Sequence, residues 1–286
     1  MLDLEITDLI SAEDPKNLQI FTVKVIHESP SSPNSPLQSR ILLAKLYEPL
    51  YFNDASEYLC PCRVMDRSYT HETAAYSVLS EFQGREIPRY YGSYTFDIPV
   101  DTSGTLNVRS VRLILTEYIR GTDMAEASPY FVKASSPKYV LETRQQIMKK
   151  VVEFESVAFT RNILLKDLSP RNVILPDDDP ASPIFIDFGD ALLKRLPDDP
   201  ICAKMDFLPG QYISPLLRWD RNRAYEFVMH EWVDWDWEPW VDAEFANTAP
   251  TITPRILEVF GKLRKYDLKS SKCSDSSNSK GAEDLE

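Results

Sequence analysis

The sequence predicts an α+β fold in which most of the strands precede the longest helix. Several short segments are predicted as strands because they are rich in apolar and β-branched residues and are bounded by turn-like stretches. Two longer segments, residues 66–82 and 139–160, instead place apolar residues at helical spacing. The predicted strands are residues 2–10, 18–26, 41–47, 90–98 and 108–116.

Length and composition are those of a globular protein with either one large domain or two lobes. The chain has 286 residues, of which 43% are hydrophobic and 27% charged, and its formal net charge is −12. This charge argues against a general affinity for nucleic acid or for an anionic membrane. No apolar window is long enough to span a bilayer, and the N-terminus lacks the pattern of a secretory signal. We therefore expect a cytoplasmic or nuclear, intracellular protein with no nucleic-acid or membrane partner.

The four cysteines, Cys60, Cys62, Cys202 and Cys273, are too few for a disulfide framework in a chain of this size. Cys60-Pro61-Cys62 lacks the second cysteine pair or histidine pair that would complete a zinc site. We therefore expect reduced thiols.

Residues 164–191 contain the polar side chains most suggestive of chemistry. Asp167 and Asp187 each follow an apolar run, and Asn172 lies five positions after Asp167. Carboxylate and carboxamide oxygens suit a divalent metal and the phosphates that it bridges. Taken singly, each of these residues also fits a turn or a cap.

Two charged residues occupy apolar surroundings nearer the N-terminus. Lys45 interrupts an apolar strand, where a lysine usually marks an edge strand or a side chain whose ammonium reaches the solvent. Glu72 lies one turn before Tyr76 and so borders the apolar face of the predicted helix. An exposed helix glutamate is the alternative interpretation of Glu72.

The motifs D-L-x-P-x-N from Asp167 to Asn172 and D-F-G from Asp187 resemble the catalytic and metal-binding loops of the protein kinase-like superfamily. The pattern E-x-x-A-Y-x-x-L from Glu72 also occurs in that superfamily, especially in divergent fungal-type members. The resemblance implies a two-lobed fold. An N-lobe of residues 1–120 would hold an antiparallel sheet with one main helix, a C-lobe of residues 121–267 would be mostly helical, and residues 268–286 would form a disordered tail.

The resemblance also implies an ATP- and magnesium-dependent phosphotransferase. Asp167 would accept the proton of the attacking hydroxyl, and Asn172 and Asp187 would hold Mg²⁺. Lys45, braced by Glu72, would bind the α- and β-phosphates of ATP. The acceptor would be a hydroxyl of a protein or of a small molecule.

The adenine ring has its own predicted site. An apolar strand runs into Glu117-Tyr118-Ile119 and then a glycine, which looks like the segment that joins the two lobes in this superfamily. There, backbone groups bind the edge of adenine, so Glu117 and Ile119 are predicted to contribute to cofactor binding.

The sequence departs from the kinase pattern at several points. Leu165 replaces the usual histidine, Ser169 stands where kinases of serine and threonine have lysine, and no A-P-E motif follows Asp187. No glycine precedes Gly84, which excludes a glycine-rich phosphate clamp after the first strand. These departures favour a divergent kinase-like or aminoglycoside-phosphotransferase-like protein. The alternative is a pseudokinase that senses nucleotide or binds partners as a scaffold without transferring phosphate.

The C-terminal part of the chain carries four further predictions. Residues 226–244 contain four tryptophans among acidic residues, and they form either a covering segment whose indoles pack on the fold or an acidic-aromatic rim for a cationic substrate. Residues 191–195 are predicted as a short helical turn, residues 196–210 as a Pro-rich loop, and residues 256–263 as an amphipathic helix.

Overall fold

The computed structural model describes residues 2–11, 18–28, 37, 39–51, 60–102, 105–130, 138–193, 208, 210–219 and 229–258. Its helices are α1 (Pro61–Val78), α2 (Leu141–Thr160), α3 (Pro215–Arg218) and α4 (Trp237–Glu244), and residues 254–258 are also helical. Its strands are β1 (Leu2–Ser11), β2 (Gln19–Glu28), β3 (Ile41–Tyr47), β4 (Tyr90–Thr102), β5 (Thr105–Glu117), β6 (Gly121–Asp123), β7 (Ile163–Leu164), β8 (Val173–Pro176), β9 (Ile184–Phe185) and β10 (Leu192–Leu193).

A curled, five-stranded antiparallel sheet dominates the structure, with the spatial order β1-β2-β3-β5-β4. Two smaller sheets follow it along the chain, one of order β6-β8-β9 and one of order β10-β7. Strand β3 lies in the middle of the large sheet, where Lys45 is opposite Ile20 of β2 and Ile114 of β5. Lys45 is therefore not on an edge strand.

Successive side chains of β3 point to opposite faces of the sheet, as in any strand. Leu42 and Ala44 point to one face, where they pack with residues of β2 and β5. Lys45 and Tyr47 point to the other face, which α1 covers through Met65. The strand is therefore buried on both sides, and its lysine is enclosed instead of reaching the solvent.

Helix α1 begins five residues before the predicted start, at Pro61. Proline suits the first turn of a helix because its missing N–H would have had no partner there. Beyond Val78 the chain continues as the 3-10 turn Ser80–Phe82, so the predicted helical stretch ends in a different geometry. The buried residues of α1 follow helical spacing and include Glu72. The alternative of an exposed Glu72 is wrong.

The largest apolar core combines α1 and α2. It contains Tyr76 of α1 and Leu79 directly after it, together with Ile147 and Val151 of α2, so it includes residues from both sides of position 120. A buried ion pair, Glu155 with Arg218, joins α2 to α3 beside this core. Arg218 donates two hydrogen bonds to Glu155, and the Trp219 indole donates a third at 3.2 Å, which helps to compensate the buried carboxylate.

The prediction of a two-lobed, kinase-like fold with a mostly helical C-lobe is wrong. The structure is rich in sheet and has few helices. In the described part of residues 121–267, one helix has 20 residues, while the other two named helices have eight and four. Within residues 121–267, the long stretch of helical spacing in the sequence coincides with α2. Proline-rich and Trp-Asp-rich segments follow it, and the described parts contain two short β-pairings, 3-10 turns and irregular chain.

Local predictions in the C-terminal part had mixed outcomes. The helical turn at residues 191–195 is wrong, because Leu192 and Leu193 form β10, which pairs with β7. In the Trp-rich segment Trp232 and Trp237 are buried and belong to the main core, which confirms that these indoles pack on the fold. Most of residues 196–210, residues 259–263 of the predicted last helix and all of the predicted tail at residues 268–286 lie outside the described residues.

Candidate active site

Three predicted site residues meet between β3, α1 and the segment after β9. The Lys45 ammonium donates to Glu72 Oε2 at 2.6 Å and to Asp187 Oδ1 at 2.7 Å. Lys45 and Glu72 are 5% and 2% exposed. Strand, helix and loop therefore converge on one enclosed cation.

Burial and charge act against each other at Lys45. Desolvation lowers the pKa of the Lys45 ammonium, but the carboxylates of Asp187 and Glu72 and their hydrogen bonds outweigh it and raise this pKa well above its usual value. Lys45 is thus a permanent positive charge in a nearly dry setting. Such a charge interacts more strongly with an anion than a solvated lysine does.

Tyr47 is the fourth member of this cluster and was not among the predicted site residues. Its hydroxyl donates to Glu72 Oε2 at 2.5 Å. The signal was present, since Tyr47 is two residues after Lys45 in a strand and must share its face. We refer to Lys45, Tyr47, Glu72 and Asp187 as the lysine cluster.

Asp187 has a left-handed backbone conformation, with φ of 63°. This conformation is unfavourable for most residues but less so for Asp and Asn. Phe188 anchors the same segment because its ring lies edge-on to Tyr76 of α1, with 5.4 Å between centroids. At Gly189, an added Cβ would lie 3.3 Å from Ser68 Cβ, so glycine permits the close approach of this segment to α1.

Asp167 and Asn172 form a second group, in the turn between β7 and β8. The Asn172 amide donates to the Asp167 backbone carbonyl at 2.8 Å and to Asp167 Oδ2 at 3.0 Å. Arg171 Nη2 also donates to both carboxylate oxygens of Asp167, at 2.8 and 2.9 Å. The carboxylate is therefore held in one orientation while its side chain stays 31% exposed.

Pairing of β8 with β9 brings the two groups close together. Val173 pairs with Phe185 in antiparallel register, and the Ile186 N–H donates to the Asn172 carbonyl at 3.0 Å. Asp187 follows directly. Asp167 and Asp187 line the same small cavity, together with Lys166, Phe188 and others.

One atom of this group is a candidate metal ligand. Asn172 is buried, and its Oδ1 has no hydrogen-bond partner among the described residues. A buried polar atom without a partner is unusual and calls for an explanation such as an ion or a ligand. Amide and carboxylate oxygens are hard donors that suit Mg²⁺, which typically binds one or two carboxylates together with water and phosphate. Asn172 and Asp187 therefore fit a magnesium ion in their donor chemistry.

The described residues contain no group of three or more His, Cys, Asp or Glu side chains placed to hold a metal. Cys60 and Cys62 are exposed free thiols.

Glu117 and Ile119 line a cavity whose described walls include no member of the lysine cluster. The Glu117 carboxylate accepts a hydrogen bond from the Arg89 N–H at 3.1 Å. Tyr118 and Asp177 also line the cavity of Glu117 and Ile119. Among the described residues, the backbone groups of Tyr118 and Ile119 have no hydrogen-bond partner. They are therefore available to a ligand, although the structure shows no contact that links them to Lys45.

The Trp-rich segment lines another cavity. Its walls include Trp235, Asp236, Trp237 and Glu238. The prediction that this segment receives a cationic substrate stays a prediction.

The chain matches no protein-family model and no curated protein. No described helix has the length and apolar character needed to cross a membrane.

Proposed function

We propose that this chain is a phosphotransferase that uses ATP and Mg²⁺ and transfers the γ-phosphoryl group to a hydroxyl of a protein or small molecule. The single observation that carries the proposal is the buried Lys45 held between Glu72 and Asp187 at 2.6 and 2.7 Å. The resemblance to the protein kinase-like superfamily supports it at the level of these residues. The proposal depends on the site and not on the overall fold.

Lys45 would supply the fixed positive charge for the α- and β-phosphates. Phosphoryl transfer depends mainly on positioning and on electrostatic stabilisation, and a preorganised charge in a dry site supplies both. Glu72 of α1 accepts a hydrogen bond from this ammonium, and the Tyr47 hydroxyl of β3 donates to the same Glu72 oxygen. Asp187, in the segment after β9, also accepts a hydrogen bond from the Lys45 ammonium.

Asp167 would orient the acceptor hydroxyl and accept its proton. Its carboxylate is fixed by Asn172 and Arg171, and its partial exposure leaves room for an acceptor to approach. Asn172 and Asp187 would hold Mg²⁺, which neutralises phosphate charge when bound. The free backbone groups at Tyr118 and Ile119 would bind the adenine edge.

The proposal is tested by thermal unfolding with ATP, with and without magnesium, and by transfer of radiolabelled phosphate to a basic protein, a peptide library and aminated small molecules. We expect MgATP at millimolar concentration to raise the midpoint temperature of thermal unfolding, because a ligand that binds the native state stabilises that state by mass action. Asp167→Asn should retain this shift and lose transfer by a factor of roughly 10² to 10⁴, the range for a positioned proton acceptor.

Glu81→Gln is the matched control. It alters an exposed ion pair with Arg161 that includes no predicted site residue, and it should behave as wild type. Absence of any MgATP-dependent shift in wild type would contradict the proposal. Full transfer activity in Asp167→Asn would show that another group accepts the proton.

A nucleotide-sensing or partner-binding scaffold without phosphoryl transfer is the second candidate. It is favoured by the lack of any glycine before Gly84 and by the engagement of both Asp167 oxygens by Arg171. The same experiments separate the two. A nucleotide-sensing scaffold would show the MgATP-dependent shift without transfer from wild type to any acceptor, and a scaffold that binds only protein partners would show neither.

A further inference from the structure

We propose that Tyr47 is a positioning residue whose hydroxyl holds Glu72 so that Lys45 stays available to nucleotide phosphates. The inference rests on the proposed function of the lysine cluster. It assigns a role to a side chain that no motif in the sequence indicated.

The geometry places one acceptor atom between two donors. Glu72 Oε2 accepts from the Lys45 ammonium at 2.6 Å and from the Tyr47 hydroxyl at 2.5 Å. Both donors come from β3, two residues apart and therefore on one face of the sheet. The acceptor comes from α1, so this oxygen joins strand to helix.

Burial makes the hydroxyl contact important. Tyr47 is 3% and Glu72 2% exposed, so water is not an alternative partner for either group. A buried carboxylate needs full compensation, and hydrogen bonds to charged groups are among the stronger ones. Desolvation and the neighbouring Glu72 carboxylate raise the pKa of the Tyr47 hydroxyl well above its usual value, so the group remains a protonated donor.

The Tyr47 ring is itself firmly placed. It meets the Tyr69 ring edge-on at 5.4 Å between centroids, and it packs with Leu18, Met65 and Ile114 in a small core between the sheet and α1. The direction of the hydroxyl is thus set by packing and is independent of Lys45.

The balance of charge explains why this hydroxyl matters for Lys45. One ammonium is shared between two carboxylates, those of Glu72 and Asp187. The hydroxyl satisfies part of the demand of Glu72 for hydrogen bonds. Without it, Glu72 would depend on Lys45 alone, and the ammonium would be drawn toward α1 and away from the phosphates and Asp187.

The test measures the affinity of Tyr47→Phe for MgATP, MgADP and adenosine by calorimetry. The variant keeps the ring and removes only the hydroxyl. We expect roughly 5- to 10-fold weaker binding of MgATP and MgADP, which is a fraction of the full effect of a hydrogen bond to a charged group. Binding of adenosine should be unchanged, because adenosine has no phosphate. In a Lys45→Met background, Tyr47→Phe should have no further effect on MgATP affinity.

Tyr90→Phe is the matched control. It removes a tyrosine hydroxyl that is hydrogen-bonded to Ser93, and its ring stacks on Tyr76. MgATP affinity should stay at the wild-type value. A loss in Tyr47→Phe that is equal for MgATP and adenosine would indicate a merely structural role and would overturn the inference.

The outcomes also separate this inference from the proposed function. If wild type binds MgATP and Tyr47→Phe binds it equally well, the positioning role is wrong and the function stands. If wild type binds no MgATP, both are wrong. If Tyr47→Phe does not fold, 3-fluorotyrosine at position 47 provides the test, because it keeps the hydroxyl and makes it a stronger donor. Tighter MgATP binding is then expected, and unchanged or weaker binding would overturn the inference.

Discussion

Lys45 and Asp187 are 142 residues apart in the chain, and their side chains form an ion pair of 2.7 Å. The pair links the middle strand of the large sheet to the segment that follows β9. Because Lys45 also contacts Glu72 of α1, one ammonium holds three separate parts of the fold together. Stability and the proposed chemistry therefore depend on the same side chain.

Lys45→Met should destabilise the protein strongly. The substitution leaves the buried Glu72 and its neighbour Asp187 without their cation, and removal of one partner from a buried pair typically costs about 3–5 kcal/mol. Chemical denaturation measures the change in the free energy of unfolding. Glu81→Gln, which alters an exposed pair with Arg161, should change it by less than about 1 kcal/mol. Equal losses in the two variants would contradict the prediction.

Two substitutions at Asp187 should separate backbone strain from charge. Because its φ is 63°, Asp187→Asn should retain about 1 kcal/mol more stability than Asp187→Ala, since asparagine adopts this conformation more readily than alanine. Both variants should lose the magnesium-dependent part of stabilisation by ATP. Denaturation and thermal shift measure these effects, and a full magnesium response in either variant would remove Asp187 from the metal site.

Arg171→Ala should lower the rate of transfer by about tenfold with little change in the KM for ATP, because a loosened Asp167 is less often in the productive orientation. Arg171→Lys keeps a cation at the position and should retain more activity. Steady-state kinetics provides the measurement, with the exposed Arg85→Ala as control. A faster Arg171→Ala enzyme would show that Arg171 restrains Asp167 instead of positioning it.

His71 should make the protein less stable in mild acid. Desolvation and the nearby Arg67 lower the pKa of His71 below its usual value of 6.5, against the opposing effects of the Ala191 backbone hydrogen bond and the Asp190 carboxylate. As pH falls, His71 therefore takes up a proton in the unfolded state before it does so in the folded state. Its contribution to the free energy of unfolding is complete above about pH 6.5 and is lost as pH falls through the lower folded-state pKa.

Urea denaturation between pH 7.5 and 5 tests this sign. The free energy of unfolding of wild type should fall with pH more steeply than that of His71→Asn, whereas His27→Asn, at an exposed position, should follow wild type. A steeper decline in His71→Asn than in wild type would mean that the shift has the opposite sign.

Local pattern was sufficient for the segments whose environment is regular. Residues 41–47 are a strand in both the prediction and the structure, and α2 begins two residues after its predicted start. The start of α1 was missed although Pro61 indicates it. Residues 191–195 were misassigned because so short an apolar run fits a helical turn as well as a strand, and only its pairing with β7 decides between them.

The fold-level error had a different origin. Motifs of a few residues around Asp167 and Asp187 describe a site, and the same site chemistry occurs on more than one fold. They do not specify how much helix surrounds it. Much of the sequence after α2 is rich in proline or in tryptophan and aspartate, and such segments do not favour long helices.

By itself, the sequence indicated that a lysine lies in an apolar strand, that a glutamate borders the apolar face of a helix, and that two aspartates follow short apolar runs, with an asparagine five positions after the first of them. These are consequences of local periodicity, which depends on residues a few positions apart. Only the tertiary structure decided that Lys45 pairs with both Glu72 and Asp187, and that Tyr47 shares the same carboxylate oxygen. Such pairings depend on how strand, helix and loop pack across many residues, because a periodic pattern specifies the face of a side chain and not its partner.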